Sequence, residues 1–278
     1  MRPGDLTTLA NVKAWLLAQN PSATTSDALL SRLITAASAF VLSFLQRDSI
    51  AVATVTETYD GYGNTFMVLR QWPAISVASV SLPGQTITDV ATGNPRTRGF
   101  MLNPGPPGGG EQTLDLFGYR FPRARAAVDV TYTVGYQIPA ETWTLAAGPN
   151  PTVVTPFFTW LADGGVSFTD TGAALAAIAS GQTPSEGQYA VATDDQGNTT
   201  YTFAVADAGR SVALTYSFTP SDIEQAVIEL VGEWFKRKDR IGQNSVNLQS
   251  GSTISFSTRD MSPAVRSMLQ PYMRVVPA

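Results

Sequence analysis

The period of the hydrophobic pattern changes twice along the chain, and this limits the possible folds more than any single motif does. Leu30, Leu33, Ile34, Ala37, Phe40, Val41, Phe44 and Leu45 recur at three- and four-residue steps. That spacing predicts a helix behind the N-cap cluster Thr25-Ser26-Asp27. A shorter helix over Thr8–Ala18 carries Leu9, Val12, Trp15 and Leu16, and Asn20-Pro21 stops it. From Val52 the period drops to two. Val52–Tyr59 and Phe66–Leu69 read as a hairpin across Asp60–Asn64, with further strands over Ala74–Leu82 and Ala127–Tyr136. Pro104–Gly110 is a loop between Phe100–Leu102 and Gln112–Leu116. Strands are also expected over Val166–Phe168, Gln188–Thr193, Thr200–Val205 and Ser211–Phe218, and a short helical turn over Gly172–Ser180. After Pro220-Ser221-Asp222 the helical period returns through Ile223, Ala226, Val227, Leu230, Val231, Trp234 and Phe235. A strand over Thr253–Ser257 and a helix over Pro263–Leu269 complete an α+β chain whose two helical ends enclose a β-rich middle.

Charge divides that middle. Residues 141–218 hold one basic residue, Arg210, against seven acidic ones, while residues 1–140 and 219–278 each come to +1. The whole excess of the net −4 therefore sits in one segment whose composition is foreign to its flanks. The charged share of the chain is only 14%, which suits a β protein or one that buries surface in an assembly.

The missing residue types exclude most chemistry. There is no cysteine and no histidine, so thiolate, His-metal, Ser-His-Asp and Cys-His mechanisms are ruled out. No cofactor or metal is expected. Asp194, Asp195 and Asn198 miss the alternation and closing glutamate of a calcium loop and read as a hairpin turn. Asp60, Asp89 and Asp163, each near a glycine, read as turn residues. Pro104–Gly110 lacks the Gly-Lys-Ser/Thr ending of a phosphate cradle. No apolar run reaches the roughly 18 residues of a membrane span and no signal peptide is visible, so no membrane is expected.

Several segments resemble the head–tail connector (adaptor) proteins of tailed bacteriophages, of the HK97 gp6-like kind. At the N-terminal end they are Leu6–Leu16 (LTTLANVKAWL), Ser26–Arg47 and Leu69–Leu82 (LRQWPAISVASVSL). At the C-terminal end the resemblance runs over Ser221–Arg274. In that family a strand like VTYTVGYQIPA leads directly into the helix that begins like SDIEQAV, whereas here residues 141–218 intervene. The resemblance therefore implies a discontinuous connector body, 1–140 and 219–278. Within it sits an inserted acidic β-rich module, 141–218, that is β-sandwich-like.

The resemblance further implies a virion protein of the neck, made in the host cytoplasm. Copies would form a ring, dodecameric in this reading, between the portal protein and a tail-side stopper or tail terminator, with DNA as non-specific passing cargo. Candidate interface residues are Lys236, Arg237, Lys238 and Arg240 at a helix terminus, then Ile254, Phe256, Arg259, Met261, Tyr272 and Arg274. The plainer account of the four cations is a solvated helix end that satisfies its own dipole, and Arg120, Arg123 and Arg125 read as a loop face. Trp143, Phe157, Phe158 and Trp160 form either a core for the module or an exposed patch. On the second alternative the protein binds a carbohydrate or host receptor through that module. A hydrolase working with two carboxylates alone is the third reading, and no spacing nominates a pair.

Overall fold

The computed structural model describes residues 4–17, 19–90, 98–104, 112–155, 159–238, 245–247, 253–255 and 261–274. The chain divides into two compact units: an all-β unit (Gln46–Gln137 with Pro271–Ala278) and a mixed unit (Met1–Leu45 with Ile138–Gln270). The acidic stretch thus groups with the helical ends, and residues 46–137 form the separate body. The expected division set 141–218 apart instead.

The all-β unit is built from β1 (Ala53–Gly61), β2 (Phe66–Val68), β3 (Ala74–Leu82), β4 (Gln85–Ile87), β5 (Gly99–Asn103), β6 (Thr113–Phe117) and β7 (Ala124–Val134). They form two antiparallel sheets, ordered β1-β7-β3-β4 and β2-β6-β5. Alternating inward residues, among them Tyr59, Val80, Phe100, Leu114, Leu116, Val128, Val130 and Tyr132, make one core. The hairpin expected between β1 and β2 is not formed. β1 stays paired with β7 as far as Gly61↔Ala124, and β2 pairs with β6. Alternation fixes which face of a strand is buried but leaves its partner open. Trp72-Pro73, a cis peptide, precedes β3.

In the mixed unit α1 (Leu9–Leu16) starts at Thr8, whose hydroxyl accepts from Asn11 N at 3.1 Å. The other helices are α2 (Asp27–Leu45), α3 (Ser221–Arg237) and α4 (Pro263–Leu269). Both α1 and α2 pack on α3, and so does α4. Gly232 lets the Leu16 side chain come close to the α3 backbone, since a Cβ there would meet Leu16 Cδ2 at 3.0 Å. The strands are β8 (Gln137–Thr144), β9 (Thr152–Val154), β10 (Thr159–Phe168), β11 (Ala176–Ile178), β12 (Gln188–Thr193), β13 (Thr199–Phe203) and β14 (Ser211–Thr219). Sheets ordered β10-β14-β8 and β11-β12-β13-β9 share a core that includes Phe168, Tyr189, Tyr201, Phe203, Leu214 and Tyr216.

Three further expectations need correction. The alanine-rich Gly172–Ser180 contains a strand in place of a helical turn. β11 runs parallel to β12, with Ala176 N donating to Gly187 O at 2.9 Å, and sheet pairing overrides alanine's helical propensity. The polar stretch 241–252 contains β15 (Ser245–Asn247), which pairs antiparallel with β16 (Thr253–Ser255). Finally, α2 is long and apolar enough to cross a membrane by length and composition, with mean hydropathy 1.8 over its window. Asp27 and Arg32 interrupt its apolar runs without lowering the average below that level. Only 33% of that window is buried, and Leu29, Leu33, Phe40, Leu42 and Phe44 are half-buried.

Candidate assembly interface

The described cations at the end of α3 meet the uncovered side of α2. The buried stripe of α2 is Leu30, Ile34, Ala37, Ser38, Val41 and Leu45. Leu29, Leu33 and Phe40 lie beside that stripe and are only half-buried. Phe40 makes an edge-to-face contact with Trp234 of α3, ring centroids 5.8 Å apart. Together with Phe235 these side chains line an open groove of about 430 Å³. Its remaining lining residues are Arg32, Arg237 and Lys238, and among the described residues no carboxylate lines it. Lys238 Nζ lies 4.3 Å from the centre of the Phe235 ring, a cation–π contact that holds its charge over the apolar wall.

The other end of α3 is fixed by Glu224. Its Oε1 accepts from Thr7 Oγ1 at 3.0 Å, Asn11 Nδ2 at 2.6 Å and Thr159 Oγ1 at 2.5 Å. One carboxylate in the first turn thus joins the N-terminal segment, β10 and α3, where the helix dipole favours negative charge. α1 is tied to α2 by Lys13, a buried ammonium 3.0 Å from Asp27.

The structure divides the remaining candidates between the units. Lys236 is exposed in the last turn of α3, and Met261 is half-buried just before Ser262, the N-cap of α4. Arg240, Phe256 and Arg259 lie outside the described residues, and Ile254 is described only as the β16 partner of Val246. Tyr272 and Arg274 belong to the all-β unit. There Tyr272 stacks on Trp72 at 6.0 Å, and Trp72 Nε1 donates to Met273 O at 3.2 Å. Arg274 Nη2 pairs with Glu57 Oε1 at 2.6 Å. Glu57 also accepts from the hydroxyls of Tyr59 (2.6 Å) and Tyr132 (2.7 Å) and from Gln71 Nε2 (3.1 Å). Burial pushes the Glu57 carboxyl up. The tyrosine and glutamine hydrogen bonds, with Arg274, outweigh burial and hold it below its ordinary value of 4.5. The same burial, with the Glu57 bond, raises Tyr59 to about 12.

Of the aromatic quartet, Phe157 and Phe158 lie outside the described residues. Trp143 and Trp160 are half-buried against the core of the acidic segment, and Trp160 Nε1 donates to Tyr201 OH at 3.0 Å. This places the two tryptophans in packing. Asp163 does more than a turn residue would. It accepts from Tyr189 OH at 2.5 Å and Tyr201 OH at 3.1 Å, besides Gly165 N. Asp194 is occupied by its own hairpin, accepting from Gln196 N, Asn198 N and Asn198 Nδ2 at 2.8–2.9 Å. Among the described residues no three Asp or Glu side chains gather in a way that could hold a metal ion.

The sequence reading found the α3 half of the groove and missed the α2 half. The signal for it was available, because α2 has more apolar residues than one buried stripe can use.

Residues 173–275 match the family model of head completion proteins. The match spans 103 of the chain's 278 residues, and what it shows is that this stretch is similar to head completion proteins. No curated protein matches the chain.

Proposed function

We propose that this chain is a structural subunit of the phage neck, forming a ring that joins the capsid portal to the tail or its stopper. The observation that carries this is the uncovered α2–α3 groove, whose α3 half lies within the stretch matched by the head completion family. An apolar surface of this kind, rimmed by charge of one sign, is suited to association. Identical subunits placed head to tail make heterologous contacts that close into a ring when the rotation closes. A dodecamer is the ring the resemblance implies.

On this proposal the action is geometric. The helical ends, which share one unit with the acidic segment 141–218, carry the assembly contacts, and the C-terminal region binds the portal. DNA passes through the ring as cargo. The chain's net charge of −4 disfavours tight, sequence-independent holding of phosphate. Capture by immobilised portal protein, with and without the chain in excess, tests the proposal. Saturable capture at a fixed copy number per portal ring is expected. A chain that neither self-associates nor binds portal at any concentration contradicts it.

A further inference from the structure

We infer that the groove between α2 and α3 is the acceptor half of a contact between copies of this chain, and that it receives the turn carrying Val205 from the next copy. This rests on the ring-forming role proposed above and adds the two surfaces that meet. The acceptor is apolar at its floor and lined by Arg32, Arg237 and Lys238. Its natural complement is an exposed apolar side chain beside negative charge, and the excess negative charge of this chain lies in residues 141–218.

Of the described large apolar side chains in that stretch, Val205 is the most exposed. The 3-10 turn Val205–Asp207 leaves Val205 57% exposed, and Ala206 beside it is also exposed. The turn is held firmly. Asp207 is fully buried, its Oδ2 accepts from Gly187 N at 3.0 Å, and its Oδ1 lies 3.8 Å from Arg210. The bond to Gly187 ties the segment that carries the exposed Glu186 to the Val205 turn. A preorganised apolar knob on a turn tied to an acidic segment thus faces solvent, and it loses little entropy on docking. Groove and knob are different surfaces, so the contact is heterologous and each copy can use one on either side.

The chain has no cysteine, which allows a direct test in the full-length protein. The double variant Leu33→Cys/Val205→Cys, oxidised at concentrations where the wild type assembles, should give a ladder of covalent multimers. The ladder should end at the copy number of the unoxidised ring, and each single variant should stop at dimers. Separately, Lys238→Glu should weaken association by about tenfold, and Glu186→Lys added to it should restore most of the loss. Circular dichroism would establish that each variant is folded. If the wild type assembles while the double variant stays monomeric on oxidation and Lys238→Glu assembles normally, the groove assignment is wrong and the ring survives. If the wild type assembles under no condition, the ring and the groove contact fail together. Flotation with anionic vesicles that is lost in Leu33→Glu would assign the α2 face to lipid and overturn the inference.

Discussion

At the scale of single residues, two positions show how this chain fixes its turns and its buried charge. Gly197 has φ +95°, and a Cβ there would lie 2.5 Å from Thr8 Cβ. The β12–β13 turn can rest against the start of α1 only because that atom is missing, and Gln196 O accepts from Ala10 N at the same place. Gly197→Ala should lower the stability of the mixed unit by about 1–3 kcal/mol, read from its thermal midpoint. Glu57 makes the all-β unit acid-sensitive. Its folded pKa lies below the ordinary 4.5, so its contribution is complete above that pH and is lost as the pH falls through the lowered value. Glu57→Gln should therefore flatten the acid limb of a stability profile taken from about pH 7 to about pH 3. Tyr59 acts at the other end of the scale. Raised to about 12 from 10.0, it holds its contribution below pH 10 and loses it as pH rises toward 12. None of this could be read from the sequence. Glu57, Gln71, Tyr132 and Arg274 are remote in sequence, and only the fold brings them to one carboxylate.

At the scale of elements, periodicity gave the helices well. The expected limits of α4 are those observed, and α2 and α3 start at or next to the predicted cap residues. A helix supplies its own hydrogen bonds, so local pattern is enough to define it. Strands need a partner from elsewhere, which is why the β1–β2 hairpin and the Gly172–Ser180 turn were misread while β3 and β12 were placed correctly. Half of the groove was visible for the same reason. Trp234, Phe235 and the cations follow a helical stripe, but the outer side of α2 is defined only once α3 has covered its neighbour. Glu224 tests how these elements are joined. Glu224→Ala leaves the hydroxyl of the buried Thr159 and its companions without their shared acceptor, and should cost about 1–3 kcal/mol in the mixed unit. Glu224→Gln keeps one acceptor oxygen and should recover part of that loss on chemical denaturation.

At the scale of the whole molecule, the chain has two bodies, and the match to head completion proteins covers the later part of the mixed unit and residues 271–275 of the all-β unit. Charge marked residues 141–218 as distinctive, yet packing places them with the helices: composition reports surface chemistry, whereas a compact unit is defined by shared burial. The absence of histidine and cysteine removes the usual catalytic machinery, and the carboxylates Glu57, Asp163, Asp207 and Glu224 are all engaged in holding the fold. Half-buried apolar side chains of α2 line the groove, a surface suited to a further partner. The most direct measurement is native mass spectrometry of the full chain alone and with portal protein, over a range of concentrations. The account predicts one closed oligomer of fixed copy number that binds portal and weakens when the groove is blocked by Leu33→Glu. A folded monomer at every concentration that leaves portal unbound would contradict it.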